Sequence, residues 1–172
     1  TATLLTTTAS TPVWGKLADL FDKKLLVQIA IVIFVLSSVM AGLAQSMTWL
    51  IVWRAVQGLG AGGLQALAQV VIAALIPPRE RGRYSGYLGA VFGVGTVAGP
   101  LLGGVVTDGL GWRWCFYVGV PFAIAAFIVL QRTLNLPRRR REVSMDYAGI
   151  VLIAGGVSSL LIWVSLAGQQ YA

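Results

Sequence analysis

The sequence predicts an all-α, polytopic helical membrane protein. Three observations carry that prediction: composition, the length of the apolar runs and the placing of the basic residues. Hydrophobic residues make up 57% of the 172 and charged residues 11%, where a soluble domain carries roughly a quarter charged. Six apolar segments follow one another, at about 1–14, 25–44, 49–76, 84–107, 114–134 and 147–166. A helix needs roughly 20 residues to cross the hydrocarbon, which segments two to six supply and segment one does not. Backbone in lipid must satisfy its own hydrogen bonds, so these segments are helices. A β-barrel would show alternating polarity in strands of about ten residues, a pattern absent from this sequence.

The basic residues give the orientation. Lys16, Lys23 and Lys24 follow segment one, and Arg79, Arg81 and Arg83 follow segment three. Arg132, Arg138, Arg139, Arg140 and Arg141 follow segment five, while the alternate connections carry Arg113 alone. The positive-inside rule then places residues 15–24, 77–83 and 135–146 in the cytoplasm. The net charge of +7 is therefore spent on topology. It lies in short clusters between apolar runs rather than on one face or tail, which argues against nucleic acid as a partner. The run 138–141 reads as a topological anchor touching anionic headgroups of the bilayer. Histidine is absent and Cys115 is the single cysteine. The sequence thus offers no metal cage, no disulfide and no obvious general base, and no cofactor is expected. An integral-membrane enzyme is disfavoured for the same reason, since no nucleophile–base set or acidic pair is in view.

Taken in order, segment one opens at Thr1 without a basic region or cleavage site, and reads as the second half of a span whose start lies outside the sequence. The stretch 15–24 reads as a short reverse turn, with Asp19 at the membrane boundary. There a carboxylate can meet Lys, Arg or the positive end of a neighbouring helix, or simply be solvated. Segment three carries Arg54, the one charge inside a span. An arginine at a helix centre costs roughly 2.5–3.5 kcal/mol on insertion scales, so it normally faces a cavity or a partner. At 100° per residue, Arg54, Gln57, Gly58, Ala61, Gln65 and Gln69 share an arc of about 120°. That stack is expected to line a water-filled path; interhelical polar contact is the plainer alternative. Segment four is dense in glycine, with Gly86, Gly89, Gly93, Gly95, Gly99, Gly103 and Gly104 around Pro100. The four-residue steps predict a helix that packs closely on its neighbours and bends near Pro100.

These residues resemble the major facilitator superfamily, in particular its drug:proton antiporters. Gly15, Leu17, Ala18, Asp19 and Lys24 match that family's cytoplasmic signature after helix two, G-x-L-A-D-R-x-G-R-K, with Lys23 a basic substitute. Leu20 stands where the family prefers a basic residue and Asp22 where it prefers glycine. Leu50, Arg54, Gln57, Gly58, Gly60 and Ala61 resemble the helix-four motif, whose arginine is implicated in proton coupling. Gly86, Gly95, Gly99, Pro100, Gly103 and Gly104 match the helix-five antiporter motif. The run Gly111-Trp112-Arg113-Trp114-Cys115-Phe116-Tyr117, followed by Val120-Pro121, resembles the start of helix six in the fourteen-helix exporters. About a dozen residues separate segments five and six, and Asp146-Tyr147-Ala148-Gly149 opens the next span, as in that fourteen-helix branch.

The resemblance runs from late helix two to helix seven. It implies a partial N-terminal transmembrane bundle of the major facilitator type over 1–134, a basic cytoplasmic linker over 135–146 and an additional helix over 147–172. It also implies a multi-pass protein of the bacterial inner membrane that exports an amphiphilic small molecule in exchange for protons, by two bundles rocking about a central site. Arg54 would stabilise a carboxylate on helix one and change partner as that acid protonates. No Asp or Glu lies deep in any span of this sequence, so either the acid is supplied, like the remaining helices, from outside it, or the protein is not proton-driven. Gly95, Gly99, Pro100, Gly103 and Gly104 would shape the outer gate, and Gly15, Asp19, Lys23 and Lys24 would lock the cytoplasmic side. Two other readings remain: an exporter of a specific lipid, siderophore or metabolite, and a non-transporting membrane scaffold. Against the scaffold stands the arginine–glutamine face, which a scaffold has little reason to keep.

Overall fold

The computed structural model describes residues 2–133, together with the helical residues 149, 152–153, 155–160 and 162–163. Five helices are traced: α1 (Ala2–Leu20), α2 (Lys23–Gly42), α3 (Met47–Leu75), α4 (Arg81–Leu110) and α5 (Trp114–Thr133). No strand occurs among the described residues. Helices α2 to α5 are each long and apolar enough to cross a membrane. The expected linker over 135–146 lies outside the described residues.

Local chemistry sets the ends. Asp22 caps α2, its carboxylate accepting from the Lys24 backbone N–H at 3.0 Å, and Ser46 caps α3 by accepting from the Trp49 N–H at 3.2 Å. Ile76 leaves α3 in an extended conformation, φ −105 and ψ 128, as the residue before Pro77 must. Gly111, with φ 95, ends α4 in a conformation that costs a glycine nothing. The connections are only a few residues long, so successive helices run antiparallel.

One boundary corrects the sequence reading. The stretch 15–24 is not a reverse turn: α1 continues to Leu20, leaving Phe21 and Asp22 as the whole connection. The polar composition of Gly15 to Asp19 suggested a loop. Packing decides otherwise, because Trp14 and Ala18 lie four residues apart on one face and are both buried, with Leu17 packed beside them.

Helix α3 is the hub. One side receives α1 and another receives α2, while α5 lies along α2. The seam between these helices is made by glycine. A Cβ on Gly58 would clash with the Thr6 side chain and come within 2.5 Å of the Thr3 carbonyl oxygen, and one on Gly62 within 2.6 Å of the Thr7 carbonyl oxygen. One on Gly60 would sit 2.7 Å from the Phe34 backbone nitrogen, on α2. Gly63 lies under the Trp14 ring, 2.7 Å from Cε2. Small residues thus bring backbone to backbone, which is how helices gain packing energy in lipid where apolar burial gives little. Two bonds cross the α1–α3 seam: the Trp14 indole N–H donates to the Leu59 carbonyl at 3.0 Å, and the Thr7 hydroxyl reaches the Gly58 carbonyl at 3.1 Å. The buried core is Trp14, Ala18, Leu26, Val27, Ala30, Ile31, Ala66 and Leu67. Partly buried Ala123, Phe127 and Leu130 bring α5 onto it.

Candidate functional site

Arg54 stands about two turns into α3, where three helices meet. Its guanidinium donates from Nη1 to Gln57 Oε1 at 3.2 Å, and its Cζ lies 4.8 Å from the centre of the Phe116 ring on α5. Gln57 in turn donates from Nε2 to the Ser38 hydroxyl of α2 at 2.7 Å. Gln57 is 7% exposed and Ser38 1%. A donor to the amide oxygen polarises the amide and strengthens the bond its nitrogen makes, so the two bonds reinforce each other. Among the described residues, the partners of Arg54 are a neutral amide and an aromatic ring, not a carboxylate. The charge is positioned but not neutralised.

The arc of polar residues predicted on α3 divides. Arg54 and Gln57 are brought together, whereas Gln65 and Gln69 are exposed and make no hydrogen bond among the described residues. Among the described residues Gln57 belongs to the α2–α3 seam. An arc of about 120° is wide enough for its edge to reach a neighbouring helix. Gly58 and Ala61, in the middle of that arc, lie beneath α1 or partly covered. Removing the Ser38 hydroxyl orphans a buried amide donor, at about 1–3 kcal/mol. We expect Ser38→Ala to lower the unfolding midpoint of the detergent-solubilised full-length protein by a few degrees. An unchanged midpoint would mean that the Gln57–Ser38 bond contributes nothing to the α2–α3 seam.

Around the α1–α2 connection the four motif residues separate as well. Gly15 faces open space, and Asp19 is exposed in the last turn of α1 without a hydrogen bond or ion pair among the described residues. A carboxylate at a helix C-terminus sits against the negative end of the dipole, so Asp19 gains only from a partner on another element. Lys23 begins α2 half-buried, and Lys24 reaches across to α5, its Nζ donating to the Gln131 carbonyl at 2.9 Å. Asp22, where the resemblance prefers glycine, serves as the α2 cap.

On α4, a Cβ at Gly86, Gly89, Gly93, Gly95, Gly99, Gly103 or Gly104 would meet no atom within 4 Å. The helix runs unbroken through Pro100 and has no buried residue. The close packing expected of this glycine face is not made among the described residues. The glycines that do make it are those of α3, at 58, 60, 62 and 63, and Gly42 of α2. The sequence does not mark Ser38, and it gives Phe116 only as part of the helix-six run, because neither differs locally from the small and aromatic residues common in spans. The glycine run on α3 was visible, together with the Thr-rich segment one that it faces, but α4 is denser in glycine and drew the packing assignment.

Comparison with known proteins is consistent with this helical arrangement. The family model of the Major Facilitator Superfamily matches residues 1–170. An uncharacterized MFS-type transporter of Mycobacterium tuberculosis is 44% identical over 172 residues, which is 100% of this chain and 25% of the relative. The multidrug transporter protein MdtP of Bacillus subtilis is 38% identical over 172 residues, 100% of this chain and 32% of its own length. Efflux pump dotC of the fungus Dothistroma septosporum is 36% identical over 175 residues, covering 99% of this chain and 30% of the pump. The chain spans about a quarter to a third of the length of these curated relatives.

Proposed function

The chain belongs to the Major Facilitator Superfamily, a family of membrane transporters rather than enzymes, and from that premise we propose that it forms the greater part of one bundle of a proton-coupled multidrug exporter. The single observation that carries the reading is Arg54, a permanent cation inside a span, held by Gln57 and Phe116 without a carboxylate among the described residues. A guanidinium so held can accept a carboxylate from the remaining helices and lose it when that acid takes up a proton. Alternating access needs such a change of partner to couple proton influx to the rocking of two bundles. Multidrug export is favoured by the names of two relatives, a multidrug transporter and an efflux pump.

In this reading the bacterial inner membrane houses the transporter, with 15–24, 77–83 and 135–146 on the cytoplasmic side. The glycine face of α4 turns to helices beyond this chain, and Asp19 finds its partner there too. The substrate is amphiphilic and often cationic. The test is efflux of a fluorescent cationic dye from cells expressing the full-length transporter, with and without a protonophore. Energy-dependent dye loss that the protonophore abolishes supports the reading. Absence of dye movement under both conditions turns it toward a specific lipid, siderophore or metabolite.

A further inference from the structure

Arg113 is the one basic residue in the connections assigned to the outer side, an exception that topology does not account for. Its contacts do. The Arg113 Nη2 donates at 3.0 Å to the carbonyl of Ala44, two residues beyond the last residue of α2. Ala44 is 4% exposed, so this carbonyl, past the last turn and out of reach of the intrahelical ladder, would otherwise be buried unpaired. Directly beside it the Tyr117 ring of α5 fills the space where Gly42 has no side chain, at 2.6 Å from the position of a Cβ. The α2–α5 seam is therefore closed tightly at its outer end.

The other end of the same pair carries the mirror arrangement. Lys24, the second residue of α2, donates to the Gln131 carbonyl in the last turn of α5. Gln28 and Gln131 add a side-chain hydrogen bond one turn further in. In each case a cation at or just before the start of one helix lies on the C-terminal carbonyls of the other. The negative end of a helix dipole favours a cation there, and the unpaired carbonyls need a donor. Antiparallel packing lets both conditions be met twice.

We propose that Lys24 and Arg113 are reciprocal end caps that lock α2 and α5 into one rigid antiparallel pair. Resting on the proposed function, this pair then travels as a single body when the transporter changes face.

Amide hydrogen exchange on the full-length transporter in lipid nanodiscs tests the caps without substrate or proton gradient. In Arg113→Gln, the amides of residues 39–44 exchange about tenfold faster while those of 129–133 are unchanged. In Lys24→Gln the effect is crosswise, at 129–133 and not at 39–44. Arg113→Lys and Lys24→Arg keep a cation in place and restore most of the protection. Unchanged exchange at both ends overturns the proposal, as does a uniform acceleration throughout the chain, which would indicate general destabilisation instead of capping. Movement as one body predicts that the double variant exports severalfold more slowly at an unchanged amount in the membrane; unaltered export confines the caps to stability and overturns that clause.

Discussion

Arg54→Ala in the intact transporter abolishes dye efflux, down to the level of cells without the protein, while its amount in the membrane is unchanged. The two halves of this expectation have separate causes. Insertion should not suffer, because an arginine at the centre of a span costs roughly 2.5–3.5 kcal/mol on insertion scales, less toward its ends, and alanine removes whatever part of that cost Arg54 carries. Packing should suffer little either. Arg54 is exposed, and its loss removes one bond to Gln57 and one stacking contact with Phe116, worth about 0.5–1 kcal/mol at an exposed site. Gln57 keeps its bond to Ser38. What disappears is the only charge in the described part of α3, and with it the group that could answer a carboxylate elsewhere in the transporter.

Arg54→Lys sharpens the test. Lysine keeps the charge but is a strongly hydrated point cation without the planar fork. It cannot donate to Gln57 and lie flat on Phe116 at once. If charge alone suffices, Arg54→Lys exports at nearly the normal rate. If position matters, as the three-helix junction implies, export falls to a small fraction of normal and its pH profile shifts. Full efflux in Arg54→Ala would remove Arg54 from the coupling mechanism altogether.

The sequence carried the helices more fully than it carried their contacts. Apolar length and the spacing of Lys and Arg are properties of the bilayer, a uniform partner, so they can be read one segment at a time. Which residues of α3 face α1, which face α2 and which stay open depends on where two other helices lie, and periodicity alone does not say. Gln57 illustrates the point. It shares an arc with Arg54, Gln65 and Gln69, yet only its position at the edge, opposite Ser38, takes it into the seam. Asp22 illustrates the reverse case. Set against a family signature it is a departure, whereas local chemistry alone, an acidic residue just before an apolar run, marks it as a helix cap. The 15–24 stretch failed for a third reason: Trp14 and Ala18 continue a buried face that composition hides.

The glycines of α3 and α4 should respond to the same substitution in opposite ways. Gly62→Leu places a side chain against the Ser10 hydroxyl and 2.6 Å from the Thr7 carbonyl oxygen. The second of these is backbone, which cannot turn aside as a flexible side chain would. Overpacking a well-fitted site costs about 1–3 kcal/mol, and more where helices must separate. Here separation also threatens the Trp14–Leu59 and Thr7–Gly58 bonds that cross the seam. Gly62→Leu is therefore expected to lower the unfolding midpoint of the detergent-solubilised transporter by at least a few degrees and to reduce its amount in the membrane severalfold. Gly99→Leu, on α4, meets nothing within 4 Å among the described residues. A loss of export with normal insertion in Gly99→Leu would mean that its face is used by the rest of the transporter during transport. A loss of stability equal to that of Gly62→Leu would make α4 a static packing element in the assembled protein. Normal export would leave Gly99, and the motif it belongs to, as generic membrane packing. For Gly62→Leu the diagnostic result is the stability itself: an unchanged midpoint would mean that α1 and α3 do not approach as closely as their glycine and threonine faces allow.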